Sequence, residues 1–502
     1  MKKRFISLFL VLCFILFAFV GCTKGDESSE TDMGSSPVVD DGFEKDDLPE
    51  KMDFGGKEIT WAIVNTDTDT QFSGYFAEQS ASMLDNSVYK ASKAVEERLS
   101  VKLIFVEHVY PWDSRGEQLT MINNNIMLGV NDFDIITAPS YLPLYGSPEL
   151  YLDLKKVENV SLDKPWWNQT MQEIFPNELR SIRCESSLRA IQRLSCVFFN
   201  QEALENYQIN DDLYELVYSG NWTLEKMTQL ITNTYVSADG TDSRTAKDSY
   251  GVTFGDGNTF SPFATAFGVT LYSKNGDGTY SYNAGSKRNV DIVDTTRKFI
   301  TKNNDVLTSY NNESEDFKID MTATGGSGVS RVFAEGRSLF MFGKFENGQV
   351  LFSQSSLDTE KLGVLPYPKY DSTQTNYTTA SSADTFFIPV DASLPAACGA
   401  VIEAWASQYY RQVVPTYFET IVKTRYSSDS KMASMFDFIR STSVVNFDLM
   451  FSDPDVLCMC PTVMKSALSG IFGLESWVVT AKKNESKASE QLKNILEIYN
   501  VK

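Results

Sequence analysis

The chain has 502 residues, 42% hydrophobic and 13% aromatic, with 66 Asp and Glu against 45 Lys and Arg, a formal net charge of −21. That length is enough for two or three domains with sizeable cores, and the acidic balance argues against nucleic acid or an anionic membrane surface as a partner. His108 is the only histidine, and no P-loop or G-x-G-x-x-G follows a strand, so histidine chemistry and nucleotide binding both lack their residues.

The chain opens as a targeting segment. Lys2, Lys3 and Arg4 form a charged start, Phe5 to Val20 an apolar core, and Phe19-Val20-Gly21-Cys22 resembles a lipobox, with Phe19 where Leu is common. A transmembrane helix would need about 20 apolar residues and flanks unlike these. Residues 1–21 are therefore expected to be a lipoprotein signal peptide and Cys22 the lipidated residue, holding the protein to the outer face of the bacterial cytoplasmic membrane. Loss of the three basic residues makes the chain still more acidic. Residues 22–50 are acidic and rich in Ser and Gly, the composition of a disordered tether, and a flexible segment of this length spans roughly 30 Å.

Beyond Cys13 and Cys22 the cysteines are Cys184, Cys196, Cys398, Cys458 and Cys460, an odd number that leaves at least one thiol unpaired. Buried or idle thiols are the expectation, with no metal and no cofactor.

Strands and helices then alternate. Glu58–Val64 reads as a buried strand, and Val88, Ala91, Val95 and Leu99 recur at helical spacing. Val101–Val106 is a second strand, Leu119, Ile122 and Ile126 mark a second helix, and Phe133–Thr137 is a third strand. Alternation of this kind implies parallel pairing through crossovers. Ligands in such sheets sit beyond the carboxyl ends of the strands, which selects Asn65 and Asp67 after the first strand and Ser140 and Tyr141 after the third. Asn65, Asp67 and Asp69 alternate as calcium ligands do, but Thr70 and Phe76 stand where an EF-hand loop needs Gly and Glu. Asn275–Thr279 is incomplete in the same way and reads as a hairpin turn.

The stretch Leu188–Leu204 is the hub. Its polar run Arg189–Ser195 is suited to crossing between two bodies, Cys196–Phe199 is a short apolar strand, and a helix follows Asn200. A second set begins there: a helix capped by Thr223, a strand at Tyr250–Phe254, and a helix marked by Val290, Val293 and Phe299. Strands at Ser338–Phe342, Leu362–Leu365 and Phe386–Val390 follow. Late helices begin near Ala396, with a break at Pro415, and at Met432–Ile439 and Glu485–Tyr499; they are too few for a domain of their own and should pack back on the two lobes.

Several segments, taken in order, carry a resemblance. They are the lipobox and tether, DNSVYKASKAVEERLSVKLIFVEH, LDKPWWNQ, CVFFNQEALENY, YELVYSGNWTLEKMTQL, FAEGRSLFMF and GVLPYPKYDSTQTNY. Together they resemble the extracellular solute-binding lipoproteins of ATP-driven sugar importers, the class similar to maltodextrin-binding protein, over nearly the whole mature chain. The resemblance implies an α/β, two-lobed periplasmic-binding-protein-like clamshell that closes on a ligand about a hinge of crossing segments. It places the crossings near Arg189–Ser195, Thr379–Asp384 and Ser441–Asn446. The lobes it implies are 51–190 plus 385–440 and 191–384 plus 441–502. The partners it implies are a saccharide and the permease subunits of an ABC-type importer, with the chain a monomer.

The resemblance supports Asn65, Asp67, Ser140 and Tyr141 as first-lobe ligand residues. Asn258, Thr259 and Phe260 follow the strand ending at Phe254, and Phe342 and Lys344 stand where the family often has an aromatic platform. The tryptophan common there is absent, and Phe345 is the nearest aromatic. Ser382 and Asp384 lie on the second crossing. Trp166 and Trp167 are adjacent, so at most one faces a cleft, and structural packing is the reading for the pair. The competing function is a surface glycan-binding or glycoside-degrading protein uncoupled from transport. A hydrolase would need two carboxylates across a cleft, which a chain this acidic neither singles out nor excludes. Ser428–Lys431 contains S-x-x-K without the motifs that would accompany it. No catalytic residue is assigned.

Overall fold

The structure is a computed structural model that describes residues 42–66, 75, 77–80, 82–110, 115–139, 147–184, 188–241, 244–254, 262–307, 328–354, 357–380, 384–418, 430–444 and 476–499. The strands are β1 (Lys57–Thr66), β2 (Val101–Tyr110), β3 (Ile135–Pro139), β4 (Ile182–Arg183), β5 (Ser195–Asn200), β6 (Tyr250–Phe254) and β7 (Tyr272–Lys274). They continue with β8 (Tyr280–Tyr282), β9 (Val306–Leu307), β10 (Ser338–Lys344), β11 (Leu362–Leu365), β12 (Thr379–Ala380), β13 (Asp384–Phe387) and β14 (Ser443–Val444).

Two five-stranded sheets carry the fold, ordered β2-β1-β3-β13-β4 and β11-β5-β10-β6-β9. They follow one plan. In the first, β1 lies parallel to β2 and β3 while β13 runs antiparallel to β3 and β4. In the second, β6 lies parallel to β9 and β10 while β5 runs antiparallel to β10 and β11. Each sheet thus takes its one reversed strand from the segment that has just left the other. The first crossing leaves β4 and enters β5, and the second leaves β11 and enters β13. Both run from the carboxyl edge of one set of parallel strands to the carboxyl edge of the other. A short parallel pair, β12 with β14, sits on the second crossing, where Thr379 and Thr442 share a 2.8 Å hydroxyl hydrogen bond.

The apolar runs become strands because both faces of each sheet are covered. Along β1, Ile59, Trp61 and Ile63 enter the main core while Ala62 and Val64 join a second cluster with Ile122, Ile136 and Phe387. The helix Met83–Leu99 buries Val88, Ala91, Val95 and Leu99, the face its spacing predicts, and Ser82 caps it by accepting from Asp85 N. On the same side the helix Pro395–Gln408 brings Trp405 to 5.1 Å from Trp61. Every residue of β5 is buried, as befits a strand paired on both sides.

The hub differs in one part. Cys196–Phe199 is in β5 and a helix, Gln201–Asn206, follows Asn200, whose side chain accepts from Ala203 N. The polar run, however, contains the helical turn Leu188–Gln192. Ala190, Ile191 and Leu194 bury one side while Gln192 and Arg193 stay half-buried, so a run that looks polar on average is amphipathic.

Pro415 does not break its helix. A π-helical turn, Tyr409–Val413, joins Pro395–Gln408 to Val414–Tyr417. The wider turn shifts the hydrogen-bond ladder ahead of a residue with no N–H to give. The late helices also divide differently between the sheets. Ser430–Ser441, assigned by the sequence to the first lobe, packs on β11, with Lys431 3.0 Å from Asp212 and Phe436 4.8 Å from Phe345. The last helix, Trp477–Ile498, is longer than expected and lies on β8 and the helix Lys287–Lys302.

The tether ends sooner than its composition suggests. Asp46 pairs with Arg98 at 2.6 Å, Arg98 also donates to the carbonyls of Leu48 and Pro49, and Lys164 reaches Asp47 at 2.8 Å and Glu44 at 3.1 Å. Residues 44–50 are therefore part of the folded body. No helix among the described residues is long and apolar enough to cross a membrane.

Candidate functional site

The carboxyl edges of the two sheets are where the strand-end rule puts a ligand, and the crossings join these edges. On the first edge Asn65 and Thr66 close β1, paired with Val109 and Tyr110, while Pro139 ends β3 opposite Asp384. On the second edge Phe254 ends β6 beside Phe342, and Lys344 ends β10 opposite Ser195. Asn65, Asp384 and Lys344 thus stand at strand ends, with Asn65 and Asp384 on one edge and Lys344 on the other. Asp67, Ser140, Tyr141, Asn258, Thr259, Phe260 and Ser382 lie outside the described residues, as does Cys22. In the sequence the first six of these follow β1, β3 and β6, and Ser382 stands two residues before Asp384, the start of β13.

Phe342 is inside the core. Its ring stacks on Phe254 at 4.9 Å and 14°, and Phe263 and Tyr367 close around it at 4.9 Å and 4.7 Å. It is 0% exposed, so it underlies the edge and presents no face to a sugar. Lys344 is half-buried; its amide donates to Asn347 Oδ1 at 2.8 Å and its ammonium lies 3.4 Å from Glu346. Phe345 is buried against Phe436.

Asp384 is 2% exposed, and its charge adds to the burial that pushes the Tyr409 phenol well above its ordinary range. Arg183, in register with Thr385 at the end of β4, is also buried. Arg183 and Ser195 are edge residues that local pattern does not single out. An arginine between Ile182 and Cys184, in the mixed stretch Arg180–Ser187, is the weak signal available for the first. Ser195 carried none.

The tryptophan pair packs structurally. Trp167 is 2% exposed, donates from Nε1 to Glu403 at 3.0 Å and bridges to Cys184, while Trp166 lies 5.8 Å from the Tyr410 ring. Glu403 is fully buried; burial raises its carboxyl to about 7, against the lowering effect of hydrogen bonds from Ser161 N and Trp167. His108 meets Phe133 edge-on at 5.2 Å, and burial lowers its pKa. Asn275–Thr279 is the turn of the β7–β8 hairpin, where Asp277 accepts from the Thr279 amide and hydroxyl. Among the described residues no three His, Cys, Asp or Glu side chains group as metal ligands; Cys184 is buried, and Cys196 and Cys398 are buried free thiols.

No family model and no curated protein matches the sequence. Solved structures do match the fold. The GacH receptor of Streptomyces glaucescens, solved unliganded and with acarbose, aligns with 87% of this chain and 99% of its own at a TM-score of 0.52 and 11% identity. The maltose/maltodextrin-binding domain MalE of Bdellovibrio bacteriovorus, bound to maltotriose, aligns with 87% and 100% at 0.51 and 11%. A solute-binding protein of an ABC transporter from Thermotoga lettingae, bound to α-D-tagatose, aligns with 87% and 100% at 0.50 and 12%. The fold is therefore that of the two-lobed solute-binding proteins. Within it the likeness is to the sugar binders of the maltodextrin type.

Proposed function

We propose that this chain is a lipid-anchored extracellular solute-binding protein that captures a neutral saccharide between its lobes and delivers it to an ABC-type importer. It acts by binding, without catalysis. The observation that carries the reading is the repeated sheet plan, with each reversed strand exchanged between lobes and both crossings joining carboxyl edges. That plan supports two rigid bodies on a hinge, with the carboxyl edges of both sheets facing one gap. The sugars bound by the structural neighbours support the choice of ligand class.

In this reading the first lobe comprises residues 51–183 with 384–418, and the second 195–380 with 430–499. Asn65, Asp67, Ser140, Tyr141 and Asp384 work from one side. Asn258, Thr259, Phe260 and Lys344 work from the other, and Ser382 from the crossing. Amides, hydroxyls and a carboxylate take sugar hydroxyls, while Tyr141 and Phe260 offer flat faces to pyranose C–H groups. Phe342 supports the second edge from beneath. The anchor is a lipid on Cys22.

The test is a glycan panel read by thermal shift and by product analysis together. Stabilisation by one saccharide with no change in the glycan supports the reading. Release of shorter sugars, or no stabilisation by any neutral saccharide, contradicts it.

A further inference from the structure

The terminal helix ties the two lobes together through residues that belong to neither crossing segment. Along Trp477–Ile498 three hydrogen bonds hold it to the second lobe. Trp477 Nε1 donates to Ala284 O at 2.7 Å, Tyr282 hydroxyl to Ala481 O at 3.0 Å and Tyr272 hydroxyl to Ala488 O at 3.3 Å. Tyr272 and Tyr282 belong to the β7–β8 hairpin, and the helix also packs on Lys287–Lys302, which leads into β9. At 1.5 Å per residue such a helix reaches roughly 30 Å. At its end Tyr499 meets Phe175, ring centroids 4.3 Å apart and planes tilted by 35°.

Phe175 belongs to the first lobe. Its carbonyl accepts from Lys155 Nζ at 3.1 Å, and the chain after it is fixed by Leu154 N to Leu179 O at 2.7 Å and by Leu179 N to Asp153 at 2.9 Å. Three residues later that chain enters β4 of the first sheet. Tyr499 is 3% exposed and Phe175 2%, so the pair is a packed contact and not a brush between surfaces. Among the described residues it is the ring contact that joins the helix of one lobe to a core segment of the other.

We propose that Tyr499 and Phe175 form an inter-lobe latch that selects the lobe separation of the ligand-free protein and so tunes the apparent affinity for ligand. The inference rests on the two-lobed hinge reading. A rotation about the crossings moves the lobes relative to one another, and a contact between a helix fixed to one of them and a core segment of the other must slide or part. A contact present in one state and absent from the other biases the equilibrium by its own free energy. Loss of an aromatic pair of this kind changes a two-state ratio by about two- to tenfold.

Double electron–electron resonance between spin labels on Lys90→Cys and Lys298→Cys reads the lobe separation without any ligand. Both positions are exposed, one on the helix Met83–Leu99 and one on Lys287–Lys302. The background is the purified lipidated chain with Cys458 and Cys460 replaced by Ser. Wild type and Tyr499→Phe should give one narrow distribution. Tyr499→Ala should raise a displaced second population about two- to tenfold, and Phe175→Leu should act in the same direction. The helix is held at Trp477, Ala481 and Ala488, so truncating its last ring leaves it seated. A wild-type distribution in Tyr499→Ala overturns the latch, and so does equal broadening in Tyr499→Phe. If Tyr499→Ala broadens the distances but no saccharide shifts them in wild type, the latch stands and the sugar reading fails. If saccharide shifts them and Tyr499→Ala does not, the latch alone fails.

Discussion

Glu403 shows how a single buried group writes itself into the pH response. Its carboxyl is held at about 7 by burial, so between its unfolded value near 4.5 and about 7 the folded state keeps a proton that the unfolded state has lost. Stability must therefore fall as pH rises through that window and level off above it. Glu403→Gln keeps an oxygen to accept from Trp167 and Ser161 and removes the charge. Its stability relative to wild type should improve between pH 5 and pH 8 by on the order of 2 kcal/mol, read by chemical denaturation at both values. Equal differences at the two pH values would show that Glu403 is not the titrating group. The proposed ligand residues make a second prediction at this scale. Asp67→Ala and Tyr141→Ala should each weaken saccharide binding about five- to a hundredfold, the worth of one lost buried hydrogen bond. The melting temperature of the ligand-free protein should stay nearly unchanged. Calorimetry showing full affinity in both would move the site away from the first-lobe loops.

At the scale of elements, the sequence is most legible where neighbours in the chain are also neighbours in space. The strands Tyr250–Phe254 and Leu362–Leu365 and the buried face of Met83–Leu99 follow from local pattern alone. The N-terminal segment Glu44–Glu50 does not. Its acidic residues look like solvated tether until Arg98 and Lys164, distant in sequence, supply their partners. Burial alone would push Asp46 up, but the guanidinium of Arg98, with hydrogen bonds from Ser407 and the Leu48 amide, outweighs it and holds the carboxyl below its ordinary value. Arg98→Ala should then leave a buried carboxylate without its cation and cost about 3 kcal/mol, with residues 44–50 newly open to protease. Unaltered stability and unaltered cleavage would show that this segment is only resting on the body. Phe342 failed for a different reason. In a strand buried on both faces the pattern is continuous and does not say which side chains reach the edge. The packing of Ser430–Ser441 on β11 was equally hidden, because its apolar stripe fits either lobe until Asp212 and Phe345 identify the neighbour.

For the whole molecule, anchoring and closure are separable. The lipobox-like Phe19–Cys22 and the polar segment after it motivate the prediction here: Cys22→Ala should release the protein from the membrane fraction without loss of saccharide binding. Quantitative retention on the membrane would place the anchor elsewhere. Closure is the central claim, since a repeated sheet plan with exchanged strands has a mechanical use only if the two bodies move about the crossings. Small-angle X-ray scattering, on the same sample with and without the saccharide that stabilises it, tests this most directly. The account predicts a smaller radius of gyration on saturation, reversed when the sugar is dialysed away. An unchanged radius of gyration at saturating sugar would contradict it, because the ligand would then be bound without the lobes closing on it.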